Sequence, residues 1–198
     1  ESGRRFKVEL VRTFREFITS ALDGWDAPIE TALPVLDDEA AVTALAGRID
    51  ARDSESEGRS ERLAAVAAAL AARLRLDAAR AARLARLLAL GRTTESPVHD
   101  DFDPLSRFAR ERRAAVAQRA ASIAASVPRF APDAPSLAAS AAWYEDGNAD
   151  RLAGVLALAL AADNLDPLEA PRRLSAAAGT QLDPEITRTY LATLGAPT

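Results

Sequence analysis

Cysteine and methionine are absent from this chain of 198 residues, and histidine occurs once, at His99. Without cysteine the protein has no disulfide bond, no thiolate zinc site and no cysteine nucleophile. The serine-hydrolase motif G-x-S-x-G and the P-loop motif G-x-x-x-x-G-K are also missing. These absences exclude several common classes of enzyme before any other feature of the sequence is considered.

Aromatic residues make up only 5% of the chain and β-branched residues are few, whereas alanine and leucine dominate. This composition favours α-helix. The longest uncharged apolar run, residues 152–162, has 11 residues, which is too short to span a bilayer. No secretory or lipidation signal is visible. We therefore expect a cytoplasmic, helical, globular protein that has no membrane-embedded segment.

Charge is unevenly distributed along the chain, although the formal net charge is only −4. Residues 57–130 contain 14 basic and 8 acidic side chains, whereas residues 131–198 contain 4 and 9. A basic middle segment is typical of contact with phosphate or nucleic acid. However, 24 of the 25 basic residues are arginine, which indicates a compositional bias spread over solvated helix faces. We do not expect nucleic acid to be a partner.

Hydrophobic spacing and capping residues divide the chain into helices. Asp37 or Asp38 is expected to cap a helix that runs through residue 51, and Asp77 to cap a helix that ends at a left-handed Gly91. No segment alternates with period two, so the predicted fold class is all-α. The predicted helices span residues 4–22, 28–34, 38–51, 60–76, 78–91, 104–127, 136–145, 149–163, 169–178 and 184–194.

An amphipathic stripe marks the first of these helices, because large apolar side chains recur there at spacings of three to four. We assign residues 1–36 as an N-terminal helical segment, a linker or dimerisation element, and residues 37–198 as the main domain. The stripe either packs on its own domain or pairs with a second copy to form a homodimer. A chain that starts without methionine is also expected to be a piece of a longer protein. The predicted dimer face consists of Phe6, Leu10, Phe14, Phe17 and Ile18.

Residues 50–63 read D-A-R-D-S-E-S-E-G-R-S-E-R-L. This segment resembles the opening motif of the HD-GYP phosphodiesterases, A-R-D-x-x-T-x-G-H-S-x-R-V, in which the histidine is a metal ligand. Arg59 stands where that histidine is expected.

Further landmarks of the family follow in the same order. Residues 87–92, L-L-A-L-G-R, resemble the family segment L-L-H-D-I-G-K. Ala89 and Leu90 replace the histidine and aspartate that name the family, and one residue is missing before the glycine. The next landmark of the family is a lone histidine at the start of a long helix, and Arg112 or Arg113 stands at that position in this chain.

The last landmarks lie in the carboxy-terminal half. Residues 141–147 resemble H-H-E-x-x-D-G, with Ala141 and Ala142 in place of both histidines, and the G-Y-P turn is absent. Residues 161–168, A-A-D-N-L-D-P-L, resemble A-x-A-D-x-x-D-A-L and place Asp163 at a ligand position. The closing element G-x-x-F-D-P survives at residues 179–184.

The resemblance implies an HD-domain-like helical bundle descended from an enzyme that uses divalent metals to activate water. Of the aligned positions, only Asp163 keeps the character of a ligand, and Arg59 would place a permanent positive charge where a cation should lie. We therefore expect a pseudoenzyme that has lost metal-dependent phosphodiesterase activity and carries no cofactor. His99 lies in an acidic loop that matches no ligand position, and we interpret that loop as a capping and solvation element.

Two roles are open for the arginines at the altered site. In the first, which we prefer, Arg59 pairs with Asp163 in an internal salt bridge that replaces the metal. In the second, Arg59, Arg62 and Arg92 line the old pocket and accept a phosphate or a nucleotide. The positions that the resemblance assigns to the altered pocket are Arg59, Ala89, Leu90, Ala141, Ala142 and Asp163.

The resemblance implies a catalytically inactive regulatory or protein-interaction module in bacterial signal transduction, with a protein partner. The alternative is a non-hydrolysing sensor of a cyclic dinucleotide, such as the family's cyclic di-GMP, or of another phosphorylated ligand. We expect Trp143 and Tyr144 to fill the vacated space. A pocket closed by Trp143, Leu90 and the alanines favours the interaction module, whereas arginines that face an open cleft favour the sensor.

Overall fold

The computed structural model describes residues 38–52, 56–92 and 103–195. The predicted N-terminal helix with its dimer face, and also His99, lie outside these residues. The described ranges contain no β-strand, which confirms the all-α class for this part of the chain. They contain the helices α1 (Glu39–Asp50), α2 (Arg59–Arg73), α3 (Ala78–Leu90), α4 (Arg107–Ser126), α5 (Ala134–Ala139), α6 (Arg151–Asp163), α7 (Ala170–Ala177) and α8 (Pro184–Thr193).

Short polar side chains start most of the long helices. Asp38, Asp77, Asp150 and Asp183 cap α1, α3, α6 and α8, and each accepts a hydrogen bond from an N–H of the first turn. Ser106 does the same for α4. Such caps satisfy backbone donors that have no partner within the helix. The predicted caps at Asp38 and Asp77 are therefore confirmed.

The segment between α4 and α6 differs from the predicted single helix over residues 136–145. A 3₁₀ turn, Ala131–Asp133, leads directly into α5, and a second one, Tyr144–Asp146, follows it. Pro132 and Pro135 each lie in a first turn rather than in an open loop. Proline suits that position because its φ is already helical and its missing N–H is not needed there.

Helices α2 and α3 form a hairpin, and α1, α4 and α6 pack around it. Alanines make up much of the contact faces of α2 and α3. Ala67 and Ala71 on α2 and Ala81 on α3 are completely buried. Small side chains at a helix contact shorten the distance between the axes, and Leu70 and Leu84 fill the remaining space. No helix in the described ranges is both long and apolar enough to cross a membrane.

A buried carboxylate ties α3 to the connection between α4 and α5. The side chain of Asp133 is only 2% exposed and accepts hydrogen bonds of 2.8 Å from Arg80 Nε and from Arg83 Nε. Arg83 also donates to Glu39 Oε1 at 2.8 Å. The hydrogen bond to Asp133 raises the pKa of Arg83 above its ordinary value. A buried acid needs partners of this kind because an unpaired charge in the interior is very unfavourable.

Gly91 follows α3 at the closest approach of this helix to α4. The predicted left-handed cap is wrong, because Gly91 has φ −68° and lies in the right-handed region. Glycine is required for space instead: a Cβ at this position would lie 2.1 Å from the carbonyl oxygen of Val116. Arg119 Nε donates to the Gly91 carbonyl at 2.7 Å. The two helices therefore meet backbone to backbone.

We predict that Gly91→Ala destabilises the protein by about 1–3 kcal/mol, because the new methyl group forces α3 and α4 apart. Urea unfolding measures the change. Gly47→Ala is the matched control, since Gly47 is an exposed residue of α1 and a Cβ there meets nothing within 4 Å. That control is expected to stabilise the helix by about 0.5–1 kcal/mol. Equal effects of the two substitutions would contradict the steric explanation.

Candidate functional site

A cavity of about 90 Å³ lies where the start of α2, the end of α3 and the first half of α4 meet the end of α6. One water needs about 10–15 Å³ of such space, so the cavity can hold several waters or one phosphate-sized group. Among the described residues no acidic side chain lines it. Its charged lining consists of Arg59, Arg92, Arg112 and Arg113.

Arg59 reaches the cavity from the first position of α2. The preceding Gly58 has φ +67°, in the left-handed region that favours glycine. Arg59 Nε donates to Asp163 Oδ2 at 2.9 Å, and its Nη2 donates to Asn164 Oδ1 at 2.6 Å. The predicted ion pair between Arg59 and Asp163 is thus present, with both side chains largely buried. It joins the start of α2 to the end of α6.

Asp50 holds a second arginine in the cavity wall. Its side chain is 1% exposed and lies at the last position of α1. Oδ1 accepts a hydrogen bond of 2.5 Å from Arg92 Nη2, and Oδ2 accepts one of 2.6 Å from the Ser60 N–H. One carboxylate therefore connects α1, the first turn of α2 and the residue just beyond α3. The sequence motif included Asp50, but nothing in the pattern indicated this role.

The remaining two arginines come from α4. Arg113 Nη1 donates to the Pro104 carbonyl at 2.6 Å, and Arg112 lines the cavity beside it. Two carboxylates lie behind this lining: Asp163 pairs with Arg59, and Asp50 pairs with Arg92. A concave, partly enclosed site lined by guanidinium groups attracts anions.

Several residues selected from the sequence meet here, and others do not. Arg59, Arg92 and Ala89 line the cavity, and Asp163 lies behind Arg59. Arg62 is not part of the lining: its side chain is 54% exposed, its Nε lies 3.7 Å from Asp163 Oδ1, and its Nη1 donates to the Glu57 carbonyl. Two of the three predicted ligand contacts therefore reach the cavity.

The other positions that were aligned with metal ligands lie elsewhere. Leu90 is completely buried in the core, Ala141 is 7% exposed, and Ala142 is half-buried. None of the three lines the cavity. Of the aligned positions, those on α2, α3 and α4 thus include residues of the cavity lining, whereas those just after α5 do not.

Trp143 and Tyr144 do not fill the cavity, so that prediction is wrong. The guanidinium of Arg110 lies 4.2 Å from the centroid of the Trp143 ring in a cation–π contact, and Arg110 also pairs with Asp146 at 2.8 Å. Tyr144 is 37% exposed. The Tyr144 N–H donates to the Gln181 carbonyl at 3.2 Å. Neither aromatic residue is part of the cavity lining.

Ser60, Ser140 and Asn164 line the cavity but were not selected from the sequence. The sequence could have indicated Ser60, because it follows Arg59 directly in the opening motif. The sequence could not have indicated Ser140, since only the tertiary structure brings the end of α5 to this place. Separately, no group of three or more histidine, cysteine, aspartate or glutamate residues in the described ranges is arranged to hold a metal ion.

We predict that Asp50→Ala destabilises the domain by about 3–5 kcal/mol, since it removes the buried carboxylate that the largely buried Arg92 guanidinium and the Ser60 N–H share. Urea unfolding again provides the measurement. Asp146→Ala is the control: it also removes one half of an ion pair with arginine, but its side chain is 52% exposed, and such surface pairs contribute about 0–1 kcal/mol. A loss no larger than that of the control would show that Asp50 does not organise the cavity.

Comparison with known proteins adds no relative to this description. No protein-family model matches the chain, and searches of curated proteins and of solved structures found no match.

Proposed function

We propose that this domain binds a phosphorylated small molecule in the arginine-lined cavity and does not hydrolyse it. It would be a degenerate HD-GYP-like domain, a pseudoenzyme that senses a ligand and regulates a signalling partner. The observation that carries the proposal is the open cavity with four arginines in its lining. Arginine is well suited to phosphate because its planar group of donors matches the oxygens of the anion.

The same observation favours the sensor over the protein-interaction module. A site closed by Trp143, Leu90 and the alanines would favour the interaction module, yet neither Trp143 nor Leu90 lines the cavity. The salt bridge between Arg59 and Asp163 is compatible with both roles, since it holds the guanidinium in place in the cavity lining. A bound anion would compete with Asp163 for Arg59. Ligand binding would in this way alter the contact between α2 and α6.

Isothermal titration calorimetry of the purified, metal-analysed domain tests the proposal. The probes are inorganic phosphate, guanosine monophosphate and cyclic di-GMP. We expect saturable binding of at least one probe, with the probe recovered intact afterwards. Absence of binding by all three, or conversion of a bound probe to product, would contradict the proposal.

Arg112→Ala provides the matching variant. A hydrogen bond to a charged group contributes about 1.5–3 kcal/mol, so we expect the affinity for the bound probe to fall roughly 10-fold or more. Arg73→Ala removes the same charge from the exposed far end of α2 and is expected to leave the affinity nearly unchanged. If the two variants weaken binding equally, the probe is held by the general surface charge and not by the cavity.

A further inference from the structure

Ser60 has an unusual hydroxyl group. The residue is 1% exposed and lines the cavity, yet its Oγ has no hydrogen-bond partner among the described residues. A buried hydroxyl without a partner is destabilising, and native proteins rarely retain one without a reason. Helix capping does not explain it, since Ser60 is the second residue of α2 and its N–H is already bound by Asp50.

Ser140 shows that the cavity does not by itself leave hydroxyl groups unpaired. This serine also lines the cavity and is 2% exposed, but its Oγ donates to the Leu137 carbonyl at 2.7 Å. The two buried serines thus differ in whether their hydroxyl has a partner. The Ser60 hydroxyl has none in the part of the chain that the structure describes.

The groups around Ser60 favour an anion as the hydrogen-bond partner of its hydroxyl. Ser60 lies in the first turn of the 15-residue helix α2, whose N-cap Gly58 makes no side-chain cap. The amino-terminal end of a helix carries a partial positive charge and attracts phosphate. Arg59 precedes Ser60 in the chain, and Asp50 links its backbone to Arg92. A hydroxyl donor, a helix terminus and two guanidinium groups therefore meet in one place.

We propose that Ser60 Oγ donates a hydrogen bond to a phosphoryl oxygen, and that the ligand presents this group as a terminal phosphate. This inference rests on the proposed function and narrows it to phosphomonoesters. A phosphomonoester carries a charge of about −1.5 to −2 and three strong acceptor oxygens, which suits a lining of four arginines and a hydroxyl. A phosphodiester has less charge and fewer terminal oxygens.

Titration of the wild type, Ser60→Ala and Ser140→Ala with inorganic phosphate and guanosine monophosphate tests the inference. We expect Ser60→Ala to bind both probes roughly 10-fold to 100-fold more weakly, the effect of one hydrogen bond to a charged group. Ser140→Ala should retain the wild-type affinity. In the absence of a probe, Ser60→Ala should unfold at the same temperature as the wild type or higher, because it removes an unsatisfied group.

The outcomes separate this inference from the proposed function. If guanosine monophosphate binds the wild type and Ser60→Ala equally well, or if cyclic di-GMP binds more tightly than guanosine monophosphate, the inference is overturned while the proposed function stands. If no phosphorylated probe binds the wild type, both are overturned. Binding that depends on Ser60 and not on Ser140 supports both.

Discussion

The Asp50 carboxylate lies buried where α1, α2 and α3 meet, and the geometry of the cavity depends on it. It binds the Arg92 side chain and the Ser60 backbone at the same time. These two contacts satisfy a charge that would otherwise be very unfavourable in the interior. They also fix two neighbouring donors, a guanidinium and the serine beside the start of α2, on the same side of one cavity.

Two other guanidinium groups of the lining are also held by acceptors of the protein itself. Asp163 and Asn164 hold Arg59, and the Pro104 carbonyl holds Arg113. Such contacts orient the guanidinium groups before any ligand arrives, which lowers the entropy lost on binding. A salt bridge that stabilises the fold and an arginine that contacts a ligand are therefore not exclusive roles. The sequence suggested these two roles as alternatives; the structure shows the salt bridge of Arg59, and the ligand contact is our proposal.

Local signals predicted most of the helices in the described part of the chain, because spacing and aspartate caps act within a few residues. They failed where a distant segment decides the outcome. Glycine is required at position 91 because the backbone of α4 leaves no room for a Cβ, and not because of the φ of Gly91. Trp143 forms a cation–π contact with Arg110 instead of lining the cavity. The opening motif indicated that Arg59 belongs to the site. It gave no sign that the Ser60 hydroxyl would lack a hydrogen-bond partner among the described residues. That property exists only once four helices converge.

A crystal structure of the domain grown with tungstate tests the central claim most directly. Tungstate is tetrahedral like phosphate, and its anomalous scattering locates it without ambiguity. We predict one tungstate in the cavity, with an oxygen within about 3 Å of Ser60 Oγ and others facing Arg59 and Arg92. Tungstate bound only on the outer surface, with none in the cavity, would contradict the assignment of this cavity as a phosphate site.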